Sequence, residues 1–301
     1  MHEQFPPEVL EKRRKLVPHM KDARKEGKRA WIAYDTLYVD GKPGQHIQRL
    51  EAADFTIPSD DVLANMTRAD WLNVFWKYIN RLQALCKDVI RVGTLNDGGK
   101  EICVDEPYRP RAPCIIYSFG INNNFLFDNA AVDLFGCDVY CFDPSMTNSS
   151  GRVSEHVWFY KLGLAGENKV NSKGWSLKTL DAIKQMLGHS NKTIDILKVD
   201  IEGDEWASLL QMVPAGSLRN VKQIAMETHF LSKHPHLSEM FGNDQIPGNM
   251  QLSALRQLYE AGFRIFMRER NLVLHQKWPG LTRPITNLNE ISLIQENFAY
   301  A

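Results

Sequence analysis

The chain has 301 residues, 44% hydrophobic and 24% charged, with 36 basic residues balanced by 36 acidic ones. That length suits one large domain, or one domain plus an extension, with a sizeable core. A net charge of zero supplies no field that would draw in nucleic acid or a membrane surface, and no apolar run is long enough to span a bilayer. The first seven residues, with two prolines and two charges or amides, do not read as a signal peptide. The cysteines, Cys86, Cys103, Cys114, Cys137 and Cys141, show no metal-type C-x-x-C spacing. Cys114, Cys137 and Cys141 sit in apolar stretches and are expected to be buried thiols, which implies a reducing compartment and a cytoplasmic location. Sequons at Asn65, Asn148 and Asn191 decide nothing by themselves.

In chain order, residues 8 to 30 are basic and read as a solvated charged helix. Residues 31 to 58 carry Gly41, Pro43, Gly44 and Pro58 and read as an irregular connector. Thr67 to Asp70 looks like an N-cap with an acid at its third helical position. Apolar residues Trp71, Val74, Phe75, Tyr78, Leu82 and Leu85 then recur at three- and four-residue steps, predicting a helix to about Lys87. Asp97-Gly98-Gly99 is a turn. Cys114 to Phe119 is the first sheet strand, and Gly120 to Asn124 the loop after it. Phe125 to Phe135 is a helix closed by Gly136, and Cys137 to Phe142 a second strand ending in Asp143-Pro144. His156 to Leu162 reads as a third strand, and Ser176 as the cap of a helix with Leu177, Leu180, Ile183 and Leu187 inward. Gln223 to Thr228 is a fifth strand, Gly248 to Ala261 a helix, and Phe263 to Met267 with Ile291 to Ala299 an antiparallel pair.

The fourth strand is the informative one. Thr193 to Val199 is rich in β-branched residues, yet Asp195, Lys198 and Asp200 interrupt it. Charges on a strand covered on both faces are costly unless paired. Gly203 ends the strand, and Asp204-Glu205 suit the start of a helix running to Val213. Carboxylates at the carboxyl end of a central strand stand where open α/β sheets bind ligands. Alternating strands and helices predict an α/β fold: a Rossmann-like, seven-stranded, mostly parallel sheet with helices on both faces. Residues 1 to 90 would form a helical, partly basic extension.

The segment Asp195-Ile-Leu-Lys-Val-Asp-Ile-Glu-Gly-Asp-Glu205 resembles the signature of FkbM-type S-adenosylmethionine-dependent methyltransferases. Asp97-Gly-Gly-Lys-Glu-Ile-Cys-Val-Asp-Glu-Pro107, Ile116-Tyr-Ser-Phe-Gly-Ile-Asn122 and Cys141-Phe-Asp-Pro-Ser145 resemble a related animal methyltransferase-like family. The resemblance covers roughly residues 90 to 301 and implies a methyltransferase domain over 91 to 301. It implies a cofactor site at Ser118, Gly120, Asn122, Asp143 and Asp200, with Asp143 on the ribose. Ser118 stands where the family has an acid, and Asn124 where it has a later glycine; asparagine tolerates positive φ, so the turn survives. Members of the animal family often carry a secretory leader, which implies a secretory-lumen location if one has been removed.

The resemblance also implies a catalytic set. Glu227-Thr-His229 matches an E-x-H at the end of strand five, beside Lys198, Asp200 and Glu202. Methyl transfer from a sulfonium needs alignment and, for a hydroxyl acceptor, removal of a proton. His229 is the expected base, with Asp200 and Glu202 as alternatives, and Lys198 would pair with Glu227 or Asp200. No metal ligand is assigned, although a divalent ion on Asp200, Glu202 and His229 is an alternative route to an acidified hydroxyl. The implied acceptor is a sugar, glycan or other small hydroxylated molecule; the sequence is silent on oligomeric state. Competing functions are a methyltransferase fold acting only as a binding module, and a nicotinamide-dependent oxidoreductase. The absent GxGxxG counts against the latter.

Overall fold

The computed structural model describes residues 47–49, 56–95, 98–231, 246–270, 275–276, 285–286 and 288–300. The basic stretch 8–30, most of the connector 31–58, Asp97, His234 and His236 lie outside the described residues.

Helix α1 (Arg68–Ile79) opens with the expected capping box: the Thr67 hydroxyl accepts from the Asp70 N–H, and the Asp70 carboxylate accepts from the Thr67 N–H at 3.0 Å. Its buried face includes Leu72, Phe75, Tyr78 and Ile79, and Phe75 stacks on Phe230 with centroids 3.9 Å apart. The helix stops at Ile79 rather than near Lys87. Asn80 caps it by donating to the Trp76 carbonyl at 2.6 Å, and Ala84–Cys86 is a strand. Tertiary pairing overrides the helical period here. The Gln83 N–H donates to the Ile265 carbonyl at 2.7 Å, and its side-chain oxygen accepts from the Ile265 N–H at 3.0 Å.

A hairpin follows, β1 (Val89–Val92) and β2 (Lys100–Cys103). The main sheet then builds from β3 (Ile115–Phe119), α2 (Leu126–Phe135), β4 (Asp138–Phe142), β5 (Gly151–Ser154), β6 (Val157–Tyr160), α3 (Leu180–Met186), β7 (Ile194–Val199), α4 (Glu205–Met212), β8 (Val221–His229), α5 (Gly248–Glu260), β9 (Phe263–Arg270) and β10 (Leu288–Gln295). Its order is β9-β10-β8-β7-β3-β4-β6-β5. The strands from β8 through β6 are parallel, while β10 runs antiparallel to both its neighbours. The expected seven strands are present. An eighth, β5, is added at the edge because the chain between β4 and β6 folds as an antiparallel hairpin.

Strand periodicity sorts the core into two layers. Tyr117, Phe119, Leu197, Val199, Ile224 and Met226 point to one face, packed with α1, α3, α4 and α5. Ile116, Val139, Cys141, Ile196 and Ala225 point to the other, covered by α2 and the β1–β2 hairpin.

Two expectations are corrected. Ser176 lies in a short strand, Ser176–Lys178, that pairs with Gly163–Leu164; Thr179 caps α3 by accepting from the Ala182 N–H at 3.3 Å. Cys114 and Cys137 are not thiols. They form a disulfide between the starts of β3 and β4, and Cys86 pairs with Cys103; Cys141 remains free and buried. Parallel pairing of β3 with β4 brings Cys114 and Cys137 to a Cα separation of 4.7 Å, which sequence spacing does not reveal. No described helix is long and apolar enough to cross a membrane.

Candidate active site

The site is built where β3, β4 and β7 end together. Gly120 has φ +79°, and a Cβ placed there would lie 1.7 Å from the Asp200 carbonyl oxygen. Only glycine lets the end of β3 approach the turn after β7 so closely. The Gly120 N–H donates to the Phe142 carbonyl at 3.0 Å, and Lys198 Nζ donates to the Gly120 carbonyl at 2.9 Å and the Phe119 carbonyl at 3.3 Å. Lys198 therefore clamps the loop through backbone oxygens. The left-handed positions in the loop are Asn122 (φ 45°) and Asn123 (φ 60°). Asn124, where the sequence suggested one, has its side chain accepting from the Leu126 N–H at 3.0 Å, at the start of α2.

Asp143 joins the two strand ends. One oxygen accepts from the Ile121 and Asn122 N–H groups at 3.0 and 2.8 Å; the other accepts from the Ser145 N–H and hydroxyl at 2.8 and 2.5 Å. Ser118 is fully buried and lies off the cavity described below.

His229, with its side chain 1% exposed, sits behind the cavity among carboxylates. Its Nδ1 lies 3.0 Å from Glu205 Oε1, and its backbone N–H donates to the same oxygen at 2.8 Å. Its Nε2 lies 3.2 Å from Glu202 Oε2 and 3.3 Å from Glu227 Oε2. Burial would push this imidazole down, but the Glu205 charge and the hydrogen bonds accepted by Glu202, Glu205 and Glu227 raise it well above the ordinary histidine range. Glu202 itself has φ 58°, a left-handed conformation costly for a residue with a β-carbon and characteristic of functional turns.

Three residues not proposed from the sequence complete the cluster. Lys100, 1% exposed at the start of β2, reaches under the sheet end to Asp200 at 3.3 Å and to both Glu290 oxygens at 2.6 Å. Burial works to raise Asp200, but Lys100, then Lys198 and His229, hold it below the ordinary carboxylate range. Burial, with Asp200 and Glu227 adding to it, pushes Glu290 up to about 7 despite Lys100. The reason is register. Glu227, Glu290 and Glu269 face one another across β8, β10 and β9, so three like charges stand in a row. The hairpin supplies the counter-ions, Lys100 to Glu290 and Arg91 to Glu269 at 2.6 Å. Glu205 is the third: wholly buried, it orients the His229 ring.

In front of this cluster lies a cavity of about 290 Å³. Gly120, Asn122, Asp143, Lys198, Asp200, Glu202 and Glu227 line it together with Asp204, Trp175 and Leu177; His229 and Ser118 do not. It opens at the carboxyl ends of parallel strands, at the point where strand order reverses beside β3. These features define a Rossmann-like α/β protein with a cavity at its switch point. Over residues 49–278 the chain matches the model of a family described as a methyltransferase domain, and it belongs to that family. The human protein named Probable methyltransferase-like protein 24 is 24% identical, over 66% of this chain and 57% of its own length. The rat protein of the same name is also 24% identical, with the same shares covered. The chain thus matches little more than half the length of these relatives.

Proposed function

We propose that the chain is an S-adenosylmethionine-dependent methyltransferase acting on a hydroxyl of a sugar, glycan or other small acceptor. The observation that carries this reading is the charge of the cavity. Asp143, Asp200, Glu202, Asp204 and Glu227 line it against the single ammonium of Lys198. A ligand bearing a sulfonium and an ammonium group complements that lining, whereas a dinucleotide pyrophosphate would face repulsion. The cavity volume suits a ligand of this size. When bound, S-adenosylmethionine supplies a sulfonium methyl group as the electrophile.

In this reading the Gly120–Asn122 loop and Asp143 hold the nucleoside side, Asp143 both pinning the loop and facing the ribose. The Asp200–Glu202–Glu227 side would hold an acceptor hydroxyl facing the methyl group that the bound donor supplies. The hydroxyl proton goes to Glu202, whose side chain is 36% exposed and lines the cavity. His229 was the base expected from sequence, but it does not reach the cavity; here it positions Glu202 and Glu227. The signature around Asp195–Glu205 supports an FkbM-type relationship and O-methylation as the finer assignment.

The two disulfides favour residence in an oxidising compartment over the cytoplasm. The test is incubation of the chain with isotope-labelled donor and a panel of glycans and small hydroxylated molecules, read by mass spectrometry. Label in an acceptor hydroxyl, lost in Glu202→Gln, supports the proposal. Binding of the donor with no transfer to any acceptor would leave a binding module.

A further inference from the structure

We infer that Asp200, Glu227 and His229 form a binding site for one divalent cation of the Mg²⁺ or Mn²⁺ class, at the inner wall of the cavity. The inference rests on the methyltransferase reading for its purpose, which is to lower the pKa of the acceptor hydroxyl before its proton passes to Glu202; the binding itself does not depend on that reading.

Three observations support it. The first is spacing. One ligand atom from each of Asp200, Glu227 and His229 falls within 4.8 Å of the others. The Nε2 to Glu227 Oε2 distance is 3.3 Å. Adjacent ligands of an octahedral ion with bonds of about 2.1–2.3 Å stand about 3.0–3.3 Å apart. Holding the Asp200 and Glu227 carboxylates within 4.8 Å of each other inside a protein is costly unless positive charge stands beside them.

The second is the backing of the histidine. Glu205, fully buried, accepts from the His229 backbone N–H at 2.8 Å and sits 3.0 Å from Nδ1. A carboxylate behind one imidazole nitrogen fixes the ring so that the other points at a metal. His229 does not line the cavity, while Asp200 and Glu227 do, so the ring stands behind them at the inner wall.

The third is the charge count around the point. Asp200, Glu202, Glu205, Glu227 and Glu290 crowd it; Lys100, Lys198 and, without a bound ion, the His229 ring are the positive groups nearby among the described residues. Lys198 donates to backbone carbonyls, and Lys100 bonds most closely to Glu290. A carboxylate and imidazole set without thiolate suits Mn²⁺ or Mg²⁺ rather than a soft metal. Two carboxylates and one imidazole leave coordination positions facing the cavity, where a hydroxyl can bind.

The test uses the full chain, stripped with chelator, titrated with Mn²⁺ alone and followed by electron paramagnetic resonance and calorimetry. One Mn²⁺ per chain is expected, with Mg²⁺ competing. His229→Gln and Glu227→Gln, both checked for cooperative unfolding, should weaken it at least tenfold. In the unmutated chain, Mn²⁺ should broaden the His229 ring resonances. Absence of saturable uptake, uptake unchanged in both variants, or an unbroadened His229 signal would each overturn the site. S-adenosylhomocysteine titrated into the same stripped protein keeps the two proposals apart. Its binding without cation uptake removes the cation site and leaves the methyltransferase reading; cation uptake without its binding does the reverse.

Discussion

Substituting Gly120 by alanine probes the junction on which the site depends. The new methyl carbon would be built 1.7 Å from the Asp200 carbonyl oxygen and 2.8 Å from its carbonyl carbon. Both are backbone atoms, so no side chain can swing aside. The left-handed φ of +79° adds strain of about 1–2 kcal/mol for a residue with a β-carbon. Overpacking against backbone adds about 1–3 kcal/mol. The expected loss of stability is therefore about 2–5 kcal/mol, read as a shift in the urea midpoint. Whatever relief the fold finds must move Gly120 away from Asp200, and with it the Lys198 contacts to the Phe119 and Gly120 carbonyls. S-adenosylhomocysteine affinity should fall at least tenfold as well. Gly151→Ala is the matched control, since a Cβ there meets nothing within 4 Å. A Gly120→Ala protein with the original midpoint and affinity would refute the reasoning, because the loop and the β7 turn would then not be in contact.

Lys100→Met leaves Asp200 and Glu290 facing each other without their shared cation and should destabilise the fold by about 3–5 kcal/mol, seen as a drop in Tm; an unchanged Tm would contradict the buried pairing. Burial, reinforced by Glu205, lifts the Asp204 carboxyl from 3.8 to about 6. The fold therefore binds this proton more tightly than the unfolded chain does, and stability falls as pH rises from about 4 through about 6. Asp204→Asn should flatten that slope and raise the urea midpoint at pH 7; a parallel pH profile in the variant would count against it. Peptide mapping without reduction should recover Cys86–Cys103 and Cys114–Cys137 with Cys141 alkylated, and reduction should cost about 3 kcal/mol per bridge for loops of this length; five titratable thiols in the native chain would contradict both bridges.

Much of the sheet was legible because the parallel strands are short β-branched or aromatic runs, most with a glycine or proline soon after their end. Gly120, Gly136 and Gly203 mark turns that the structure builds with positive φ. The capping box at Thr67 was legible for the same reason: its chemistry is local. What failed was set by distant partners. Leu82 and Leu85 fit a helical period, yet Gln83 is held by Ile265 and Cys86 by Cys103. Leu177 fits an inward helix position but packs from a strand beside Gly163.

The site divides along the same line. Asp200, Glu202, Glu227 and His229 lie at neighbouring strand ends and converge as their positions suggest. Lys100 and Glu290 come from the hairpin and the antiparallel strand, 190 residues apart, and only register brings them together. Lys100 did carry a signal, since it stands inside the Asp97–Pro107 block; its role as a buried counter-ion was not readable there. Glu205 looked like an ordinary acidic helix start, and its hydrogen bond to His229 depends on how α4 packs beside the end of β8.

The proposed function requires the acid-lined cavity beside Gly120 to bind the methyl donor. Calorimetric titration of the chain with S-adenosylhomocysteine, with NAD as the comparison ligand, tests it most directly. One saturable site for S-adenosylhomocysteine is expected, weakened by about 1–3 kcal/mol in Asp143→Ala, with no heat of binding for NAD. Absence of saturable binding by S-adenosylhomocysteine, or affinity indifferent to Asp143, would contradict it.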